Sequence, residues 1–226
     1  MEDAKEKLAA VREKISAACL SSGRKLDSVR LVAVSKKQSP DAIRALADLG
    51  QMDFGENYMQ EAKEKIAAIA KPLRWHFIGA LQSNKAKLLL NDFYLFHGLD
   101  RLALAEEINR AAAKNAVKVA CLAQVNTDDE ASKSGMRPSD LAKFLEEAAQ
   151  LENINIAGLM CIPDPDANTQ KSFAQLRELK ESMNQNGAYR SPLTELSMGM
   201  SADFEAAIRE GSTIVRVGTA LFGARP

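Results

Sequence analysis

The sequence reads as an α/β chain closed into a single (β/α)8 TIM barrel, and three observations lead there. Short apolar runs alternate with amphipathic helical stretches from end to end, the pattern of a parallel sheet with helical crossovers. Eight such runs can be counted, the number that closes a barrel. A doubly wound open sheet would carry a Gly-x-Gly-x-x-Gly loop after its first strand, and none stands there. The 226 residues are then expected to form one domain, 1–226, with 1–23 as an extra leading helix. That is the small end of the usual barrel size of about 250 residues.

The elements follow in order. Leu8, Val11, Ile15 and Cys19 recur at helical spacing, and the helix gives way near Ser22-Gly23. Val29–Val34 is nearly all apolar, as a strand buried on both faces would be. Ser39-Pro40 opens the next helix, through Leu49, as N-cap and first residue. Further strands are predicted at Met52–Phe54, Arg74–Ile78, Phe93–Phe96, Val117–Val125, Ile154–Met160, Leu193–Leu196 and Thr213–Val217. Helices fit between them at Tyr58–Ala70, Asn84–Leu90, Arg101–Lys114, Pro138–Gln150, Asn168–Asn186 and Ala202–Glu210.

Composition narrows the class of function. Lys and Arg number 30 against 30 Asp and Glu, so the basic excess of a duplex-DNA binder is absent. No apolar run approaches the roughly 18 residues that span a bilayer. Met1-Glu2-Asp3-Ala4-Lys5-Glu6-Lys7 does not resemble a secretory signal, so a cytoplasmic protein is expected, with no nucleic acid and no membrane among its partners. The neutral surface suits a monomer. The three cysteines, Cys19, Cys121 and Cys161, are too few and too far apart for a disulfide framework. They and the two histidines offer no metal site.

In a barrel, chemistry sits on the C-terminal face, where strands end and loops begin. Ser35-Lys36-Lys37 ends the first strand there. A lysine in that position either meets solvent at the rim or is a partly desolvated amine able to form a Schiff base. Successive strand residues point to opposite sides, so only one of Lys36 and Lys37 can enter the barrel; periodicity does not say which. The last strand carries Arg216 within Thr213-Ile214-Val215-Arg216-Val217, and an inward guanidinium needs an acceptor. Gly218-Thr219 lets backbone N–H groups approach an anion, as in the phosphate site that barrels build after strands seven and eight. Ser201, in Ser197-Met198-Gly199-Met200-Ser201-Ala202, would begin the preceding helix beside it, as a plain N-cap or as part of the same cradle. Asn57 follows strand two and His76 lies in strand three; alone they read as a helix cap and a core histidine. Met160, Met198 and Met200 read as packing. An amine, an arginine and an anion cradle on one rim suit pyridoxal phosphate.

A resemblance then becomes specific. Val34-Ser35-Lys36, Phe54-Gly55-Glu56-Asn57-Tyr58, Trp75-His76-Phe77-Ile78-Gly79 and Leu81-Gln82-Ser83-Asn84-Lys85 resemble the pyridoxal phosphate homeostasis (YggS/PROSC) family. So do Ser132-Lys133-Ser134-Gly135, Gly158-Leu159-Met160, Leu196-Ser197-Met198-Gly199-Met200-Ser201, and the run from Gly211 through Arg216-Val217-Gly218-Thr219 to Phe222-Gly223-Ala224-Arg225. The resemblance implies a fold-type III barrel like the alanine racemase N-terminal domain, with pyridoxal 5'-phosphate held as a Schiff base on Lys36. It implies Arg216 at the pyridine nitrogen and Ser201, Gly218 and Thr219 at the phosphate. Asn57, His76 and Met198 fall at family motif positions and complete the cofactor-binding set. Lys37 departs from the family's common Thr and places a second amine beside the first; Ala80 departs from a common Pro.

The function so implied is vitamin B6 homeostasis: holding the cofactor and buffering or delivering it to apo-enzymes, with indirect effects on amino-acid and keto-acid metabolism and no catalytic residue. The alternative is an amino-acid racemase of low activity. A racemase needs acid–base groups on both faces of the substrate, and in alanine racemases an additional β-domain supplies one of them. The chain reaches Pro226 just after its eighth βα unit, so that domain is not expected. A barrel binding some other phosphorylated ligand is a third reading.

Overall fold

The computed structural model describes residues 2–128, 134–164 and 168–223. Eight parallel strands close into a barrel in chain order, each paired with the next and the eighth with the first. They are β1 (Arg30–Val34), β2 (Asp53–Glu56), β3 (Arg74–Phe77), β4 (Leu95–Leu99), β5 (Val119–Gln124), β6 (Ile154–Met160), β7 (Glu195–Ser197) and β8 (Ile214–Val217). The helices are α1 (Glu2–Ser21), α2 (Pro40–Asp48), α3 (Met59–Ala68), α4 (Leu102–Lys114), α5 (Leu141–Ala148), α6 (Thr169–Gln185), α7 (Phe204–Arg209) and α8 (Thr219–Phe222).

The side chains sort by strand alternation. Val32, Leu95, Leu122, Met160 and Ile214 point inward and fill the lumen. Their neighbours Ala33, Phe54, Phe96, Val215 and Val217 point outward, into the layer beneath the helices. The predicted stripe of α1, Leu8, Val11, Ile15 and Cys19, is buried with Ile43 of α2, Phe204 and Ile208 of α7 and Leu221 of α8. Burying each such large apolar side chain contributes about 1.5–3 kcal/mol. Ser39 caps α2 as its sequence signature requires, accepting from the Ala42 amide.

Several boundaries differ from the sequence reading. The fourth strand is Leu95–Leu99, not Phe93–Phe96, because Asn91 turns the chain with a φ of 69° and delays the strand. The stretch predicted as a helix at Asn84–Leu90 is a tighter 3-10 turn, Ser83–Leu89. Pro138–Asp140 is likewise a 3-10 turn, and α5 starts only at Leu141. The Gly-Thr turn after β8 continues into α8. Ser132, Lys133, Ala224 and Arg225 of the quoted motifs lie outside the described residues.

Candidate functional site

Lys36, Ser201, Gly218 and Thr219 come together at the C-terminal mouth. Ser35 to Gln38 form a four-residue turn closed by Gln38 N–H donating to Ser35 O at 3.0 Å, with Lys37 at a φ of 61°. That left-handed conformation costs a lysine about 1–2 kcal/mol, so the turn must be held by its surroundings. Lys65 of α3 supplies the hold. Its ammonium donates to Ser35 O at 2.6 Å, Glu56 Oε1 at 2.8 Å and Glu61 Oε1 at 2.6 Å, which uses all three of its protons. Glu56 Oε1 also accepts from Ser35 Oγ at 2.6 Å, and Glu61 Oε1 accepts from the Lys37 amide at 2.5 Å. Burial raises the Glu56 carboxyl above its ordinary range, against the opposing hydrogen bonds from Lys65 and Ser35. This brace lies outside the sheet, where Ser35 points, so alternation turns Lys36 toward the mouth.

Lys36 lines a narrow crevice with Val34, Gln38, Gly218, Thr219 and Gly223, whereas Lys37 is exposed. Gly218 packs on β1, where a Cβ would sit in ordinary contact with Val34, 3.4 Å from its carbonyl oxygen. Ser201 Oγ accepts from the Gly218 and Ala220 amides at 3.2 and 3.4 Å, leaving its own proton to donate. Two backbone N–H groups therefore already converge on one oxygen beside Lys36. Ser201 does not begin α7, contrary to its sequence reading. Asp203 occupies the N-cap position and accepts from the Met200 amide at 2.6 Å, so the helix starts at Phe204.

Asn57 follows β2 and does not cap α3, where Tyr58 holds the N-cap position. Its Oδ1 is buried without a protein partner, the kind of atom that a ligand satisfies. Gly79 keeps this corner compact, because a Cβ there would lie 2.1 Å from Asn57 O.

Two expectations change. Met198 is fully buried in the outer apolar layer with Leu196 and Ala207, because strand alternation sends Ser197 inward and Met198 outward. It supports the mouth from behind and does not face it. His76 is fully buried in the lumen with both ring nitrogens engaged, Nε2 by Asp53 Oδ1 at 3.0 Å and Nδ1 by His97 Nε2 at 2.9 Å. It reaches the mouth through His97 Nδ1, 2.8 Å from Ser197 Oγ, which in turn lies 2.6 Å from Arg216 Nη1. The acceptors that Arg216 requires are thus Ser197 Oγ and Cys161 O, the latter at 2.9 Å.

The far end of this row opens on a cleft of about 630 Å³ at the N-terminal mouth, where Arg30, Asp53 and Arg74 stand. Burial would raise the Asp53 carboxyl, but hydrogen bonds from His76 and Arg74 bring it down to about 2. Burial pushes both imidazoles below their ordinary 6.5, His97 the further, with Arg30 adding to the effect on each. Arg74 acts with it at His76, and His76 and Arg216 at His97; Asp53 opposes them at His76. Both histidines are therefore neutral at pH 7. The unfolded chain takes up protons near pH 6.5 and the folded chain does not. Stability from this source is full above pH 6.5 and lost on acidification, by up to about 1.4 kcal/mol per pH unit for each ring. The melting temperature is expected to be flat from pH 7 to 8 and to fall below 6.5, as calorimetry across that range would show.

Sequence reasoning missed Asp53, Glu56, Lys65, His97 and Ser197. Lys65 was visible as a lysine four residues before Ile69 and three after Ala62, on the face α3 buries. Ser197 was visible by alternation from the outward Leu196.

An eight-stranded parallel barrel with a lysine at the end of its first strand and an inward arginine in its last shares the architecture of the alanine racemase N-terminal domain. The family model of that description, "Alanine racemase, N-terminal domain", matches residues 7–226. Full-length relatives narrow this further: the pyridoxal phosphate homeostasis protein of Pseudomonas aeruginosa is 45% identical over 97% of this chain and 95% of its own. That of Escherichia coli K12 is 41% identical, covering 100% of this chain and 98% of its own. The chain belongs to the alanine racemase N-terminal-domain family and, within it, to the pyridoxal phosphate homeostasis proteins. Among solved structures, PipY of Synechococcus elongatus PCC7942 with PLP bound superposes with a TM-score of 0.84 at 38% identity, over 97% of this chain and all of its own (100%). Alanine racemase from Corynebacterium glutamicum, 15% identical with a TM-score of 0.73 over 97% of this chain and 62% of its own, shares the fold.

Proposed function

We propose that this protein holds pyridoxal 5'-phosphate as a Schiff base on Lys36 and releases it to apo-enzymes, serving vitamin B6 homeostasis without turning over a substrate. The observation that carries the reading is the convergence at the mouth: Lys36 shares a crevice with Gly218 and Thr219, beside the hydroxyl of Ser201 and its two amide donors. An amine placed next to converging N–H and O–H donors suits an aldehyde that also carries a phosphate. The bound group supplies that reactive aldehyde. Ser201, Gly218 and Thr219 bind its phosphate, Arg216 faces its ring nitrogen, and the unpartnered Asn57 Oδ1 accepts from one of its donors. A permanently charged guanidinium keeps a ring nitrogen unprotonated and so weakens the ring as an electron sink, which favours carriage over carbanion chemistry. The names of the relatives and the PLP-bound PipY structure support the same reading.

The test is transfer. Loaded protein mixed with an apo-form of a pyridoxal phosphate enzyme is expected to restore that enzyme's activity, while deuterium exchange at the α-carbon of alanine or serine stays at background. Rapid α-exchange would make the protein an amino-acid racemase instead. Binding of simple phosphorylated compounds with no reducible adduct would reduce it to a general phosphate-ligand barrel.

A further inference from the structure

The lumen holds a single row of hydrogen bonds that runs from one mouth of the barrel to the other. Asp53, at the start of β2, lies 3.0 Å from His76 Nε2; His76 Nδ1 lies 2.9 Å from His97 Nε2; His97 Nδ1 lies 2.8 Å from Ser197 Oγ; and Arg216 Nη1 lies 2.6 Å from the same oxygen. All five residues are buried, none more than 5% exposed. Such a row inside a barrel is costly unless every member is satisfied.

The two ends dictate the direction of every proton between them. Arg216 can only donate, so Ser197 Oγ must accept from it and keep its own O–H for the other side. An ionised carboxylate can only accept, so His76 must present Nε2–H to Asp53. A neutral His76 then has a bare Nδ1, and His97 must present Nε2–H to it. That leaves His97 Nδ1 bare, ready for the Ser197 hydroxyl. The four bonds form one consistent assignment, every donor pointing from the arginine toward the carboxylate, with both histidines in the Nε2–H tautomer. The aligned dipoles place a partial negative charge against the guanidinium and a partial positive charge against the carboxylate. This matters because Arg216 donates its hydrogen bonds to a hydroxyl and the Cys161 carbonyl, while the carboxylate of Asp203 acts on it through space. At the opposite mouth Asp53 is also faced by Arg74 Nη2 and Arg30 Nε, at 2.6 and 3.8 Å.

We propose that Asp53 is a positioning residue for the ligand site, acting across the barrel through His76, His97 and Ser197 to fix the orientation and polarity of Arg216. The row is read from the protein alone; its effect on the ligand rests on the placement of Arg216 at the pyridine nitrogen. Arg216 would touch the ligand, and the other four residues would act through it.

The two parts are tested separately. In the ligand-free protein, 15N spectra of the two imidazoles at pH 7.5 should show Nε2 protonated and Nδ1 bare in both rings. A protonated Nδ1 in either ring overturns the row, whatever the protein binds. Asp53→Asn gives the far end a donor and releases the direction, so the tautomer of His97 should become mixed although His97 does not touch residue 53. An unchanged His97 spectrum in a folded Asp53→Asn protein contradicts control by Asp53. If that variant fails to fold, Ser197→Ala and Ser197→Thr decide the same question from the other end. The alanine should weaken retention of pyridoxal phosphate by roughly tenfold, the loss of one hydrogen bond to a charged group, and shift the visible absorption of the bound group. The threonine keeps the hydroxyl and should restore both. Equal behaviour of the two variants overturns the coupling. Absence of any pyridoxal phosphate adduct in the parent protein, with the tautomers as assigned, overturns the functional reading and leaves the row intact.

Discussion

Lys65→Met should destabilise the protein by about 3–5 kcal/mol, the range for breaking a buried ion pair from one side. The lysine is 5% exposed and is saturated by Ser35 O, Glu56 and Glu61. Its removal strands Glu56, which is fully buried and already has one carboxylate oxygen without a partner. It also frees the Ser35–Gln38 turn, whose left-handed Lys37 is tethered through Glu61. Urea unfolding measures the loss. The double variant Glu56→Leu, Lys65→Met removes both buried charges and should recover most of the stability, because the one partner left, Glu61, is partly exposed and can be solvated. It should not recover cofactor retention, since the turn that aims Lys36 stays unbraced. A single variant as stable as the parent would mean that the turn is held by something else.

Lys36→Ala has the largest expected effect on binding: loss of the visible Schiff-base band and at least a hundredfold weaker retention of pyridoxal phosphate. Lys37→Ala should keep both. The asymmetry follows from the turn, in which Ser35 points out to Glu56, Lys36 lies in the crevice beside Gly218, and Lys37 is exposed. Lys37→Gly is the informative companion. Glycine takes a positive φ without the side-chain penalty, so this variant should gain up to about 1 kcal/mol in stability while binding as the parent does. Visible spectra and equilibrium dialysis on the three variants provide the comparison.

The sequence disclosed the barrel because its information is local and repeated: each apolar run and each helical stripe can be recognised alone, and Ile154–Met160 has the same bounds in both readings. It pointed to the Ser35-Lys36-Lys37 run, Arg216, Gly218 and Thr219 because they stand in or just after strands on the face where barrels do chemistry, while the choice of Lys36 over Lys37 came from the resemblance. What stayed hidden depends on register between distant segments. His97 fell just beyond a strand placed two residues too early, and Asp53 lay inside the predicted Met52–Phe54 strand with no role assigned to it. The partnership of His97 with Ser197 joins residues 100 positions apart. Nothing in either local sequence states it. Met198 shows what a motif leaves open: it stands within a recognised run, while its side chain is buried in the outer apolar layer.

Borohydride reduction of the loaded protein, followed by peptide mapping, tests the proposed placement of the cofactor most directly. A single stable pyridoxyl adduct on Lys36, with Lys37 unmodified, is the expected result. An adduct on Lys37, on Lys65 or spread over surface lysines would contradict it.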